Sequence, residues 1–299
     1  MGKLYVVATP IGNLSDISKR ALDILSDVGL IAAEDTRRTL KLLNHFGIKT
    51  PIVSYHKFNE AEKSQVLIHK IKTEDMDIAL VSDAGTPCIS DPGAIIVKKA
   101  RENNIDVIGI PGSSALTASL SVCGLLFDSF SFFGFYPREK KNKEKLKNLL
   151  ISSDIDTFVF YESPNRIIKS LTEISLFLPG CNVFLINDLT KFYEKSIFGE
   201  ISHVIERLSE DANSNLGEYT FIIQKARKDK TNDGKPEEGH KDETEDAFTI
   251  EALLVNEIVK HNCSLKQAIN LVSKNTTTRN ISKNDAYKAS LNLKKIFIS

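Results

Sequence analysis

The first half of the chain alternates short apolar runs with segments of helical periodicity. The apolar runs predict buried strands at residues 4–8, 30–33, 52–54, 78–81 and 107–110. Between them, apolar positions recur every three or four residues and predict helices at residues 17–28, 36–46, 60–71, 94–103 and 114–123. Strands that alternate with helices in this way are typical of a mainly parallel sheet covered by helices on both faces.

After residue 124 the pattern changes, because the last predicted strands follow one another more closely. Apolar runs predict strands at residues 130–135, 157–161, 183–187, 194–199 and 219–224. Helical periodicity appears at residues 139–150, 164–178 and 202–208. We therefore expect a second α/β domain with a mixed sheet, and the fold class of the chain is predicted to be α/β with two such domains.

The C-terminal quarter of the chain differs in composition. Residues 226–246 contain no large apolar side chain, so they are predicted to form a flexible charged linker. Three helix-period segments follow, at residues 249–260, 265–274 and 284–297, and Ser282 with Asp285 has the spacing of a capping box. The predicted organisation is an N-terminal α/β domain (1–115), a second α/β domain (116–225), the linker (226–246) and a helical module (247–299).

The charge of the chain is balanced overall but not locally. Lys and Arg number 39, as do Asp and Glu, so the protein is not a bulk polycation. Residues 247–299, however, carry eight Lys or Arg against three acids, a net charge of +5. Such a basic module favours contacts with nucleic acid. The alternative is a dimerisation or packing appendage.

The sequence contains no pattern typical of a membrane span, a signal peptide or a metal site. No apolar stretch approaches the roughly 20 residues of a membrane-spanning helix, and the N-terminus runs directly into a predicted strand. We therefore expect a cytoplasmic protein without membrane contact. The four cysteines, Cys88, Cys123, Cys181 and Cys263, are too widely spaced for a zinc or disulfide framework, and we expect no metal.

Three predicted strands run into loops of small residues. The first leads into TPIGN, the fourth into SDAGTP around Asp83, and the fifth into PGSSA around Ser114. Small residues let a ligand approach the backbone closely, and open α/β sheets bind ligands at the carboxyl ends of their strands. An Asp in such a loop can accept hydrogen bonds from ribose hydroxyls or an amino group. The sequence therefore predicts one shared pocket for a polar ligand.

A charged run follows the second predicted strand. It extends from Glu34 through Asp35 to Arg37 and Arg38. Acidic residues in the first turn of a helix are favourable, which would make this an ordinary helix start. Two arginines at the same place oppose the helix dipole, so we favour a functional site.

Seven short motifs together resemble a known family. The runs ATPIGNL, AAEDTR, LVSDAGTP, SDPG, PGSSA, FYESP and LTK occur in this order within residues 3–225. They resemble the tetrapyrrole methylase superfamily, a class that uses S-adenosylmethionine (SAM) and is distinct from Rossmann-type methyltransferases. The match is closest to the subgroup that methylates the ribose 2′-hydroxyl of a cytidine in 16S ribosomal RNA. This chain departs from the usual pattern at Asn187 and Asp188, where the family has Arg-Glu before LTK, and at Leu216, where a basic residue is common.

The resemblance implies a cofactor site in the cleft between the two α/β domains. The residues at the positions that hold SAM in the family are Asp83, Gly85, Thr86, Ser114, Ala115, Tyr161 and Leu189. The first three belong to the loop that holds the amino-acid and ribose parts, and the next two line the sulfonium side. The last two lie where the second domain closes on the adenine. The ATPIGNL and EDTR motifs resemble the wall that faces the substrate.

Methyl transfer to a hydroxyl requires that the hydroxyl lose its proton, which a base assists. The candidate bases near the cleft are Glu34, Asp35, Glu162, Asp188 and Lys191. We favour a carboxylate, with Asp35 or Glu162 ahead of Asp188. Arg37 and Lys191 are expected to steer the RNA phosphate and fix the ribose.

The partners predicted are 16S ribosomal RNA or the small ribosomal subunit, and a second copy of the chain. The homodimer is expected because aromatic residues are dense at positions 127, 130, 132, 133, 135 and 136, and large apolar patches mark partner surfaces. The alternative is that these aromatics fill the core of the second domain. A tetrapyrrole or other small substrate is the second candidate for the reaction, and a non-catalytic RNA-binding protein the third.

Overall fold

A computed structural model describes residues 2–226, 250–261, 264–274 and 282–297. The chain divides into two compact units, Met1–Lys230 and Thr231–Ser299. Residues 227–246 of the predicted linker lie outside the described residues, and so does Cys263. Among the residues described, no helix has the length and apolar character needed to cross a bilayer.

The first sheet consists of five parallel strands in the order β3-β2-β4-β1-β5. The strands are β1 (Leu4–Val7), β2 (Leu30–Ala33), β3 (Ile52–Ser54), β4 (Ile78–Val81) and β5 (Val107–Ile110). The helices that connect and follow them are α1 (Lys19–Asp27), α2 (Thr36–His45), α3 (Glu60–Thr73), α4 (Ala94–Glu102) and α5 (Ala115–Val122). The parallel sheet and all ten elements predicted for this half of the chain are confirmed, with small shifts at their ends.

Helices cover both faces of this sheet. In the central strand β4, Ile78 and Leu80 belong to the apolar cluster on one face, while Ala79 and Val81 belong to the cluster on the other. All four side chains are buried. A strand buried on both faces needs apolar residues at every position, which explains the uninterrupted apolar run.

The second sheet is mixed, as predicted, with the order β6-β7-β10-β8-β9. Its strands are β6 (Phe130–Phe135), β7 (Thr157–Glu162), β8 (Asn182–Asn187), β9 (Lys195–Glu200) and β10 (Tyr219–Gln224). Its helices are α6 (Lys140–Ser152), α7 (Ile167–Ser175) and α8 (Ile201–Glu210). Strands β6 and β7 are parallel, whereas β10 is antiparallel to both β7 and β8.

Helix α7 begins at Ile167, later than the predicted start at residue 164. The preceding residues form a turn that folds back on the end of β7. The backbone N–H of Ser163 donates to the Glu162 carboxylate at 2.8 Å, and Arg166 lies 3.2 Å from the same carboxylate. These side-chain contacts delay the helix start, so Pro164 lies before the first turn.

Stacked aromatic rings form the centre of the second domain's core. The Phe160 ring stacks on Phe221 at 5.1 Å between centroids and on Phe133 at 5.3 Å. Tyr136 is buried in the same cluster. Much of the aromatic density after residue 126 therefore fills this core, although Phe130 and Phe135 are exposed.

The C-terminal unit is a cluster of three helices, α9 (Ile250–His261), α10 (Leu265–Lys274) and α11 (Lys283–Phe297). Leu254, Ala268 and Ala286 are fully buried where the three helices pack. At the start of α11, the Asp285 N–H donates to the Ser282 hydroxyl at 3.2 Å, and that hydroxyl donates to the Asp285 carboxylate at 2.6 Å. The predicted helices and the predicted cap of the last one are confirmed.

Replacing Phe221 by Ala is expected to lower the free energy of unfolding by about 3–5 kcal/mol, because a buried ring leaves a cavity between Phe160 and the helices. Urea denaturation monitored by circular dichroism measures this. The matched control is Phe198→Ala on the edge strand β9, where the side chain is 54% exposed and about 1 kcal/mol or less is expected. Equal costs for the two variants would contradict the assigned core.

Candidate active site

The carboxyl ends of the first sheet's strands face the second sheet across a cavity of about 490 Å³. This volume lies within the range of small-molecule sites. All seven residues that the family resemblance places around SAM line this cavity: Asp83, Gly85, Thr86, Ser114, Ala115, Tyr161 and Leu189. The structure thus brings them together, while their roles stay a prediction.

The three small-residue loops are joined by backbone hydrogen bonds. Thr9 and Gly85 exchange two N–H···O bonds of 2.9 Å, which ties the loop after β1 to the loop after β4. The Thr86 hydroxyl donates to the Ser113 carbonyl at 3.3 Å, which ties the same loop to the one after β5. Gly85 has a φ of 81°, a conformation that favours glycine. The loops therefore form one pocket wall, as the sequence predicts.

Three carboxylates line the first-sheet side of the cavity, namely Glu34, Asp83 and Asp91. The Asp83 N–H donates to Glu34 at 3.3 Å, and Asp83 in turn accepts the Asp35 N–H at 2.9 Å. Burial raises the pKa of Glu34, and burial followed by the nearby Glu34 charge raises the pKa of Asp91 to about 6. Asp91 was absent from the predicted site residues, although the SDPG motif contains it.

Glu162 lines the cavity, but its carboxylate is occupied by protein contacts. It accepts hydrogen bonds from the Ser170 hydroxyl at 2.6 Å and the Ser163 N–H at 2.8 Å, and Arg166 lies 3.2 Å away. Its side chain has no exposed surface. These contacts favour a structural role for Glu162, which holds the start of α7 against β7, over a role as proton acceptor. The geometry therefore does not support the predicted catalytic role of Glu162.

Asp35 and Arg37 lie outside the cavity lining and pair with each other. The guanidinium of Arg37 donates to the Asp35 carboxylate at 2.8 and 3.1 Å, and these hydrogen bonds lower the pKa of Asp35 to about 2. The neighbouring Arg38 lines the cavity instead, 3.6 Å from Asp83. Successive residues of a helix point about 100° apart, so the two arginines of α2 face different surroundings.

Lys191 connects the two sides of the cleft. Its ammonium group lies 2.6 Å from Asp188 and 3.0 Å from Glu218, which itself lines the cavity. Its aliphatic chain packs on Gly12, where an added Cβ would lie 2.5 Å from the lysine Cγ. Burial opposes the charged form, but the hydrogen bonds to the two acids outweigh it and raise the pKa of Lys191. The raised pKa favours the cationic form of Lys191 over a role as a base.

Asn187 and Asp188, where the sequence departs from the family pattern, both make local polar contacts. Asp188 retains a carboxylate that reaches Lys191, and its φ of 50° turns the chain at this point. The Asn187 amide donates to the Leu216 carbonyl at 3.0 Å. Among the described residues, no cluster of His, Cys, Asp and Glu has the geometry of a metal site.

A family model described as Tetrapyrrole (Corrin/Porphyrin) Methylases matches residues 3–205. The chain belongs to the tetrapyrrole methylase family. It is 41% identical to the ribosomal RNA small subunit methyltransferase I of Vibrio cholerae, over 95% of this chain and 93% of the relative. The protein of the same name from Haemophilus influenzae is 40% identical over 91% of this chain and 91% of the relative. The one from Bacillus subtilis is 38% identical over 97% of this chain and 94% of the relative.

Solved structures support the same fold. Uroporphyrin-III-C-methyltransferase of Thermus thermophilus superposes with a TM-score of 0.53 at 19% identity, covering 75% of this chain and 94% of that one. A diphthine synthase superposes with a TM-score of 0.56 at 15% identity, covering 75% and 90%. At these identities the likeness shows the tetrapyrrole methylase fold alone, with its two α/β domains.

Replacing Glu34 by Gln is expected to lower the pKa of Asp91 from about 6 toward its usual range, because the substitution removes one nearby negative charge. Carboxyl ¹³C chemical shifts followed against pH measure this titration. The control is Glu62→Gln, which removes an exposed acid from α3 and should leave the Asp91 titration unchanged. An Asp91 pKa near 4 in the unchanged protein would contradict the description of the cavity.

Proposed function

We propose that this chain is a SAM-dependent methyltransferase that methylates the ribose 2′-hydroxyl of a cytidine in 16S ribosomal RNA. The observation that carries the proposal is the identity of 38–41% to proteins named ribosomal RNA small subunit methyltransferase I over more than nine tenths of both chains. That match includes the C-terminal helices as well as the two α/β domains. A ribosomal substrate also supports a cytoplasmic location.

The cavity fits SAM on three grounds. SAM supplies an activated methyl group on a sulfonium, and both its sulfonium and its ammonium group are cations. The acids Glu34, Asp83 and Asp91 give the cavity the complementary charge. Gly85 and Ala115 leave the backbone open to close approach. One of the solved Thermus thermophilus relatives contains S-adenosyl homocysteine, which is the demethylated product of this donor.

For deprotonation of the ribose hydroxyl we propose Asp91. A base works best when its pKa lies near the working pH, and that of Asp91 is raised to about 6. Asp35 is a poorer base, because Arg37 lowers its pKa to about 2, and the carboxylate of Glu162 is taken up by Arg166 and Ser170. Much of the remaining rate enhancement comes from holding the two reactants in line.

Arg38 and Arg37 are proposed to hold RNA phosphate at the first-sheet side of the cavity. Arg38 lines the cavity and Arg37 is well exposed beside it. Lys191 would act more indirectly, by fixing Glu218 at the cavity wall and the Gly12 loop beneath it. The basic C-terminal helices are proposed to contact RNA phosphates without taking part in the chemistry.

A homodimer is also proposed. Phe130 and Phe135 are exposed, whereas Tyr136 and the half-buried Phe132 and Phe133 pack in the core. Since only part of this aromatic cluster is exposed, it supports a partner surface less strongly than the sequence alone indicates. Light scattering at micromolar concentration distinguishes a dimer from a monomer.

The substrate is tested by incubating the protein with labelled SAM and, separately, 16S ribosomal RNA, small ribosomal subunits that lack the modification, or a tetrapyrrole precursor. Nuclease digestion and mass spectrometry then identify the methylated nucleoside. We expect 2′-O-methylcytidine from RNA or subunits. Label in the tetrapyrrole alone would replace the proposal with the small-molecule alternative, and binding of RNA without turnover would favour a binding protein.

Replacing Asp83 by Ala is expected to weaken SAM binding by about 1–3 kcal/mol, or roughly 5- to 150-fold, because polar groups of SAM bound in the cavity would lose their acceptor. Isothermal titration calorimetry gives both affinities. The control is Asp23→Ala, an exposed acid on α1, which should bind SAM like the unchanged protein. Unchanged affinity in the Asp83 variant would remove this residue from the cofactor site.

Replacing Asp91 by Asn is expected to lower the single-turnover methylation rate by about 10²-fold or more at saturating SAM and RNA. In the unchanged protein, the rate should rise with pH as Asp91 loses its proton, with a midpoint below the value of about 6 for the protein without SAM, because a bound cation favours the charged carboxylate. This rise should vanish in the variant. Asp35→Asn serves as comparison and should keep the pH profile. If Asp91→Asn keeps both rate and profile, another group or water accepts the proton.

A further inference from the structure

The start of helix α6 carries a group of exposed cations close to the cavity. Arg138, Lys140 and Lys141, here called the α6 rim, are all exposed. They belong to a segment, residues 138–152, that contains six Lys or Arg and two acids. Basic side chains on a helix facing solvent are common, so the position and partners of these three decide whether they have a function.

The cations of this segment differ in their contacts. Lys143 pairs with Glu173 at 2.5 Å and lies over the Tyr136 ring, and Lys147 lies over the Phe177 ring. These two contribute to packing. For the three residues of the α6 rim, no ion pair exists within the part of the chain that the structure describes. Positive charges at the N-terminus of a helix also oppose the helix dipole, so these three side chains do not stabilise α6.

The α6 rim begins three residues after a residue of the cavity wall. It follows Phe135, which lines the cavity and pairs in register with Tyr161. Three residues of chain span at most about 10 Å, so Arg138 lies within that distance of the cavity wall. Arg166 fixes the connecting loop by donating to the Tyr136 and Pro137 carbonyls at 3.0 and 3.1 Å.

The charges around the cavity alternate in sign. The interior carries Glu34, Asp83 and Asp91, whereas Arg38 lies on the first-sheet side and the α6 rim on the second-sheet side. A polyanion is repelled by the interior and attracted by both edges. A strand that contacts both edges would therefore have phosphates outside the cavity and only one nucleotide directed inward.

We infer that the α6 rim binds backbone phosphates of single-stranded RNA next to the target nucleotide, on the side opposite Arg38. This inference rests on the proposed function, because it takes RNA as the substrate. Phosphate contacts fix position and register without reading sequence. The rim therefore determines how tightly the RNA is held and not which base is chosen.

The test removes the three rim charges in the full-length protein by Arg138→Gln, Lys140→Gln and Lys141→Gln. The control removes one arginine and two lysines that are also exposed, from α3 and α4, by Arg101→Gln, Lys72→Gln and Lys98→Gln. Affinity for unmodified 16S ribosomal RNA is measured between 50 and 200 mM salt. Methylation kinetics and SAM affinity are measured in parallel.

For single strands, each phosphate contact contributes about 0.7 to the slope of log affinity against log salt, so the rim variant should lose about 2 from that slope. The loss of affinity between 50 and 200 mM salt then becomes about 16-fold smaller than in the unchanged protein. KM for RNA should rise, while kcat at saturating RNA, SAM affinity and the slope of the control variant stay unchanged.

Two kinds of failure are distinguishable in this design. If the unchanged protein methylates RNA and the rim variant keeps its salt slope and KM, the inference about the rim is wrong and the proposed function stands. If the unchanged protein methylates no RNA, the proposed function fails, and the inference that rests on it fails too. A fall in kcat without any change in KM or slope would also overturn the inference.

Discussion

Parallel pairing of the five strands of the first sheet places all their carboxyl ends on one edge, and the whole site depends on this constraint. Loops separated by many residues in sequence become neighbours there, and the paired bonds between Thr9 and Gly85 hold two of them together. The second sheet closes the opposite side with Tyr161 and Leu189. Neither domain alone contains the complete cavity lining.

The surroundings of each acid in or beside the cavity determine how readily it carries a negative charge. Three carboxylates face the same space, and burial makes the charged form of Glu34 and Asp91 harder to maintain. Asp35, the residue after Glu34, lies outside the cavity lining and is stabilised as an anion by Arg37. A cationic methyl donor in the cavity, as proposed above, would relieve the repulsion between these acids, and its binding would then be coupled to their titration.

Much of the fold could be predicted from the sequence, because strands buried on two faces leave uninterrupted apolar runs such as residues 78–81. The cavity lining around Asp83 could be predicted from its motifs. The direction of the side chains could not be predicted, because Arg37 and Arg38 are adjacent in sequence and only Arg38 lines the cavity. The start of α7 at Ile167 could not be predicted from the sequence either, since it depends on the contact between the side chains of Arg166 and Glu162.

The order of strands in the second sheet has a consequence for biosynthesis. Strand β10, residues Tyr219–Gln224, lies between β7 and β8, although it is the last of the ten strands in the described chain to leave the ribosome. Until it arrives, β7 and β8 each present an unpaired edge, which is prone to aggregate. The first domain can fold early during translation, whereas the second must wait for residue 224. Tyr219 and Thr220 also line the cavity, so a nascent chain cannot complete the cavity lining before this strand is inserted.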